Sequence, residues 1–231
     1  MAARLGLRQA PLALALPKPH LHQTRPFSLP SLSDLSNISS STPRTLTASR
    51  NLPYPPALLY SIISDIPSYS SFLPFCTSSV VHTYTPTAPR LPVLATLTVG
   101  WGPFPAESYT SRVYCVPGET VEAVSGNAGP STTWDVLRRH GYEERAAKGG
   151  AVAGDKRDGD GELFESLVTK WTVRPVEGGT DVDLRIDYLM ANPLHQIAVG
   201  GVADQVADKM IRAFEARAER LHADRQRKEM R

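Results

Sequence analysis

TDVDLRIDYLMANP, Thr180 to Pro193, contains both halves of the fold in one line. Val182, Leu184, Ile186 and Tyr188 occupy alternate positions, with Asp181, Asp183, Arg185 and Asp187 between them. A strand turns successive side chains to opposite faces, so this spacing predicts a sheet with one apolar face and one face in water. Asn192 and Pro193 then read as the N-cap and first position of a helix, where proline is tolerated because the first N–H groups have no intrahelical partner. From there the period changes. Val199, Val202, Val206, Met210, Phe214 and Leu221 recur at steps of three and four residues or their sums, which predicts a long helix from Pro193 to Arg227 with an apolar stripe.

The chain upstream repeats the strand pattern. LFESLVTKWTV puts Leu163, Leu167, Trp171 and Val173 on one face, and Gly178-Gly179 supplies the turn into the strand above. LPVLATLTVGW alternates through Leu91, Val93, Ala95, Leu97, Val99 and Trp101; FPAESYTSRVYCV sets Tyr109, Val113 and Cys115 opposite Thr110 and Arg112. ETVEAVSG, TSSVVHTYT and RTLTASRNL read as further strands. PALLYSII, introduced by Pro53, Pro55 and Pro56, reads as a short helix with Leu58, Leu59, Ile62 and Ile63 on its apolar face, ended by Pro67. Strands in such close succession argue for an antiparallel meander. The expectation is an α+β fold: a curved antiparallel sheet of about six or seven strands around a long C-terminal helix. Between Asn127 and Glu162 the period dissolves. TTWDVLRRHGYEER is compatible with a short helix, whereas AAKGGAVAGDKRDGDGE is charged and glycine-rich, so a flexible insertion at about 129–161 is expected.

Composition narrows the function classes. The 231 residues, 41% of them hydrophobic, suffice for one domain with a sizeable core, and Cys76 and Cys115 are too few for a disulfide framework. A formal charge of +2 gives no global case for nucleic acid. Residues 1–42 hold Arg4, Arg8, Lys18 and Arg25 against the single acid Asp34, with abundant Ser, Leu and Ala, the composition of a mitochondrial transit peptide; the folded domain is expected over 43–228. No run reaches about 18 apolar residues, so contact with a membrane is expected to be peripheral.

Catalytic and metal signatures fail one by one. His82, His140, His195 and His222 are isolated from any His or Cys at ligand spacing. DKRDGDGEL fails as a calcium loop, since counting from Asp158 puts Leu163 where glycine is needed and Thr169 where the bidentate glutamate belongs. No Walker, GxGxxG or GxSxG string occurs. Strand parity puts Asp181, Asp183 and Asp187 on the wet face, and Cys76 has no cation beside it in sequence to stabilise a thiolate. Glu107 and Glu165 share parity with inward residues, yet a strand-end glutamate reaching solvent is favoured over a buried polar group contacting a ligand head.

Several strings, in order, resemble the mitochondrial coenzyme Q-binding proteins of the START-like, polyketide cyclase-related group: FLPFC after the short helices, VGWGPFPAESYTSRV, LFESLVTKW and AFEARAERL. Phe75 stands where that family often has tryptophan, and GGVADQV offers small residues where related helices often have aromatics. The resemblance implies a helix-grip fold enclosing ubiquinone or a related isoprenoid lipid as bound ligand, with no catalytic cofactor and no enzyme activity. It further implies support of coenzyme Q delivery to the respiratory chain and of its synthesis, peripheral contact with the matrix side of the inner membrane, and complexes of those pathways as partners. Nucleic acid is not expected. An aromatase/cyclase-type enzyme or a ribosome-interaction module on the same fold are the alternatives. The expected sheet wall is Leu97, Val99, Trp101, Tyr109, Val113, Trp171, Val173 and Tyr188, and the helix wall Val199, Val202, Val206 and Met210. Phe72, Leu73 and Phe75 are expected as an apolar lip stiffened by Pro74. For each of these, ordinary core packing is the competing reading.

Overall fold

The computed structural model describes residues 42–100, 105–144, 163–192 and 203–230. The expected transit peptide, most of the insertion, Trp101, Val199 and Val202 lie outside them. The chain order is β1 (Arg44–Leu52), α1 (Pro56–Ser64), a 3-10 helix (Ile66–Ser71), β2 (Cys76–Tyr84), β3 (Pro92–Val99), β4 (Glu107–Val116), β5 (Thr120–Gly126), α2 (Trp134–Arg139), β6 (Phe164–Val176), β7 (Gly179–Met190) and α3 (Ala203–Glu229). One sheet of seven strands runs β1-β7-β6-β5-β4-β3-β2, antiparallel at every junction. Strands β2 to β7 thus form the expected meander, and β1 joins at the β7 edge.

The inner face of the sheet carries Val113, Cys115, Val121, Trp171, Val173, Val182 and Leu184, all buried. α1 packs on β5, β6 and α3, burying Leu58, Leu59, Ile62 and Ile63. Each such side chain gains about 1.5–3 kcal/mol from burial. α3 lies along β1 and α1 with Ile211, Phe214 and Ala218 turned inward. Arg50 on β1 fastens it, donating to Asp208 at 2.5 Å.

The outer face is wet only in part. On β7 the acidic residues form a surface ladder: Asn51 donates to Asp181 at 2.7 Å, Arg174 pairs with Asp183 at 2.5 Å, and Arg185 with Asp187 at 2.7 Å. Partial burial alone would raise the Asp187 carboxyl, but hydrogen bonds from Arg185 and Thr45 outweigh it and hold the group below the ordinary carboxylate range. These aspartates are the solvated face that their parity predicts.

Across β4, β5 and β6 the outer residues Tyr114, Val124 and Val168 are covered by the segment after β5, whose helix α2 buries Leu137 completely. The expected flexible insertion therefore has to be shortened, because residues 129–144 are folded onto the sheet. Two polar anchors fix them. Glu122, fully buried, accepts the backbone N–H groups of Ser131 at 2.5 Å and Thr132 at 3.0 Å. The Tyr142 hydroxyl accepts the Cys115 N–H at 2.7 Å and lies 3.4 Å from the Cys115 carbonyl, to which it donates. Pairing between β3 and β4 ends at Leu94 and Arg112, so Tyr142 takes the place of a missing strand neighbour there.

Candidate functional site

Towards the first described turns of α3 the helix stands off the sheet and leaves a cavity of about 100 Å³. Leu97, Val99 and Tyr109 wall it from β3 and β4, and Leu167, Thr169, Ile186, Tyr188 and Met190 from β6 and β7. Val206 and Met210 of α3 close one side, and Leu73, Pro74, Phe75 and Cys76 form the rim. Typical small-ligand sites measure about 300–1,000 Å³, so this space suits a ring or one short stretch of chain.

Of the residues expected to form the site, Leu73, Phe75, Leu97, Val99, Tyr109, Tyr188, Val206 and Met210 meet around this one cavity. Val113, Trp171 and Val173 do not line it. They belong to the solid part of the core, where Trp171 packs on Phe214 with ring centroids 4.4 Å apart. Phe214 also meets Phe72 at 5.1 Å and Tyr69 at 5.4 Å, so these rings seal the core below the cavity.

The lip residues are thus divided. Phe72 caps the core through Tyr69 and Phe214, while Pro74 and Phe75 face the cavity. Phe75 has φ 68°, a left-handed conformation rare for a bulky residue and one that turns the chain sharply into β2. Its carbonyl accepts the Gly100 N–H at 2.9 Å, which ties the turn to the end of β3. Phe72→Ser is expected to lower stability by about 2–4 kcal/mol, and Phe75→Ser by less than half as much, measured by urea unfolding. Equal losses would place Phe75 in the core as well.

Sequence parity missed Phe164 and aligned Glu165 with the inward residues, but Glu165 reaches solvent, the reading favoured for a strand-end glutamate. A bulge between Phe164 and Ser166 inserts Glu165 as an extra residue, so Phe164 pairs with Met190 and turns inward while Glu165 is exposed. Phe164 lines the cavity and meets the Tyr109 ring edge-on at 5.1 Å. Gly126 lies opposite the bulge with φ 63°, and a Cβ there would stand 2.3 Å from the Glu165 carbonyl oxygen. Glu107 is half-buried at the start of β4 and does not line the cavity.

Among the described residues the wall contains no carboxylate or cation; its polar groups are the hydroxyls of Tyr109, Thr169 and Tyr188 and the Cys76 thiol. Burial raises the Tyr109 phenol well above its ordinary value, so it remains a hydrogen-bond donor at neutral pH. Burial also raises the Cys76 thiol and pushes Cys115 up to about 12, which leaves both as protonated, poorly nucleophilic thiols. Among the described residues no group of three or more His, Cys, Asp or Glu side chains is placed to hold a metal ion, and no helix is long and apolar enough to cross a membrane.

A curved antiparallel sheet gripping a C-terminal helix over an apolar cavity defines the START-like helix-grip class of folds. The chain belongs to the polyketide cyclase / dehydrase and lipid transport family, whose model matches residues 52–142 and 151–215. It is 31% identical to the mitochondrial coenzyme Q-binding protein coq10 of Schizosaccharomyces pombe, over 76% of this chain and 87% of that one. It is also 30% identical to the ribosome association toxin RatA of Pseudomonas aeruginosa, over 74% of this chain and 92% of the relative. A START superfamily protein from Mycobacterium smegmatis shares the fold with a TM-score of 0.54 and 13% identity, over 77% of this chain and 98% of that chain.

Proposed function

We propose that the cavity holds the ring of an isoprenoid quinone, ubiquinone in particular, and that the protein is a carrier of that lipid. The observation that carries this reading is an apolar chamber of ring size whose wall, among the described residues, offers hydroxyl donors and no charge. Quinone carbonyls accept hydrogen bonds but need no counter-charge, and apolar walls desolvate the ring and first prenyl unit at about 0.8 kcal/mol per buried methylene. The raised phenol and thiols favour binding over acid–base or nucleophilic chemistry, because none of them exchanges a proton readily near neutrality. We therefore read the cyclase / dehydrase part of the family description as belonging to other members.

The coenzyme Q-binding relatives named as mitochondrial support a mitochondrial site of action. In this reading the N-terminal segment directs import, and the protein works at the matrix side of the inner membrane. There it passes coenzyme Q to the respiratory chain and supports its synthesis.

Mass spectrometry of lipid extracted from the purified chain is expected to find ubiquinone; extracts free of any isoprenoid quinone would end the proposal. Tyr109→Phe is expected to weaken binding of a short-chain ubiquinone about 3- to 10-fold, the loss of one hydrogen bond, while leaving affinity for a prenol without carbonyl groups unchanged. An equal loss for both ligands would assign Tyr109 to shape alone.

A further inference from the structure

Between Asp208 and Arg220 the helix that closes the cavity has most of its charges sorted by side. Asp208, Glu215 and Glu219 follow one flank of α3 and Lys209, Arg217 and Arg220 the other, as offsets of seven, eight and eleven residues require on a helix of about 3.6 residues per turn, while Arg212 lies beside the acidic flank and pairs with Asp208 at 2.8 Å. Contacts agree with this geometry. The acidic flank faces β1 and α1: Asp208 pairs with Arg50, while burial first, then Glu219 and Glu215, raise the Tyr54 phenol. The basic flank faces the lip: the Lys209 ammonium sits 5.5 Å from the centre of the Phe75 ring and the Arg217 guanidinium 5.7 Å from that of Phe72. Lys209 and Arg220 are exposed, and among the described residues no ion pair occupies Lys209, Arg217 or Arg220.

A surface groove runs between this flank and Ser70 to Pro74, and Leu73 and Pro74 line both it and the cavity. We propose that the basic flank of α3 and the Phe72–Phe75 lip form a single surface that docks on an anionic phospholipid bilayer, with the cavity rim turned to the lipid. The proposal rests on the cavity being the lipid site. Cations attract the anionic headgroups, and the rings beneath them suit the boundary between headgroup and acyl chain, so one contact satisfies both. A polyanion such as ribosomal RNA would use the cations but gain nothing from proline and phenylalanine at the opening of an apolar chamber.

The test uses the full chain and quinone-free vesicles, of phosphatidylcholine alone or mixed with phosphatidylglycerol. Sedimentation with the mixed vesicles is expected, with little on phosphatidylcholine alone and release by salt. Lys209→Gln combined with Arg217→Gln should lower the partition coefficient about 25-fold, or about fivefold for each charge, the equivalent of about 1 kcal/mol. Arg138→Gln, on α2 across the sheet, should change nothing. Melting temperature and short-chain quinone binding in vesicle-free solution should survive the double substitution, so failure of docking and failure of the cavity reading show separately. Equal binding to both vesicle types, undiminished binding by the double variant, or sedimentation with ribosomes in place of vesicles would overturn the proposal.

Discussion

Phe214→Ala is expected to cost about 3–5 kcal/mol, a large share of the roughly 5–15 kcal/mol that holds a domain together. Phe214 is the point where α3 closes on the sheet: its ring meets Trp171 at 4.4 Å, Phe72 at 5.1 Å and Tyr69 at 5.4 Å, and the residue is 4% exposed. Truncation removes those contacts and leaves a void that rigid neighbours fill only in part. The void also lies beneath the rim formed by Leu73 and Phe75, so the hollow part of the interior would extend into the solid part. Urea unfolding followed by tryptophan fluorescence, to which Trp171 contributes, reads the loss. A change below about 1 kcal/mol would mean that the sheet holds without this clamp, and Phe214→Leu should retain part of the stability.

Glu122→Ala is the second large effect, expected at about 2–5 kcal/mol. The carboxylate is fully buried on the outer face and takes the N–H groups of both Ser131 and Thr132. Alanine leaves two donors in a dry site, each with a desolvation penalty of about 1–3 kcal/mol. Glu122→Gln retains one carbonyl oxygen as acceptor and should fall between. Amide hydrogen exchange separates this from general destabilisation: Ser131, Thr132 and the α2 amides should lose protection first, while β6 and β7 stay protected. If Ser131 and Thr132 exchange as slowly in the alanine variant as in the parent chain, Glu122 does not hold the segment.

The fold was legible because its alternations are long. Along β7 the run from Val182 to Tyr188 has no break, and the helix stripe through Val206, Met210 and Phe214 keeps its spacing, so period alone separates strand from helix. Parity fails where the backbone departs from regularity. Nothing in LFESL announces that Glu165 is an inserted residue, because a bulge is a property of two strands and shows only in their pairing. The division between hollow and solid core was equally hidden. Val113 and Trp171 have the same parity and chemistry as Val99 and Tyr109; what separates them is the position of α1 and Phe214 above the sheet. The docking of the 129–144 segment on the sheet was hidden because its anchors, Glu122 and Tyr142, are polar, and binary pattern counts only apolar side chains. The rim reads as one apolar patch in sequence, whereas Phe72 also packs on Phe214 of the core and Phe75 lines the cavity.

The inserted residue on β6 decides more than register. Without it, the regular pleat would aim Glu165, in place of Phe164, at the phenol of Tyr109 across the chamber. A carboxylate kept dry beside a phenol is the raw material of proton transfer, since each would shift the other's ionisation. A single kink in one strand thus keeps that carboxylate out of the chamber.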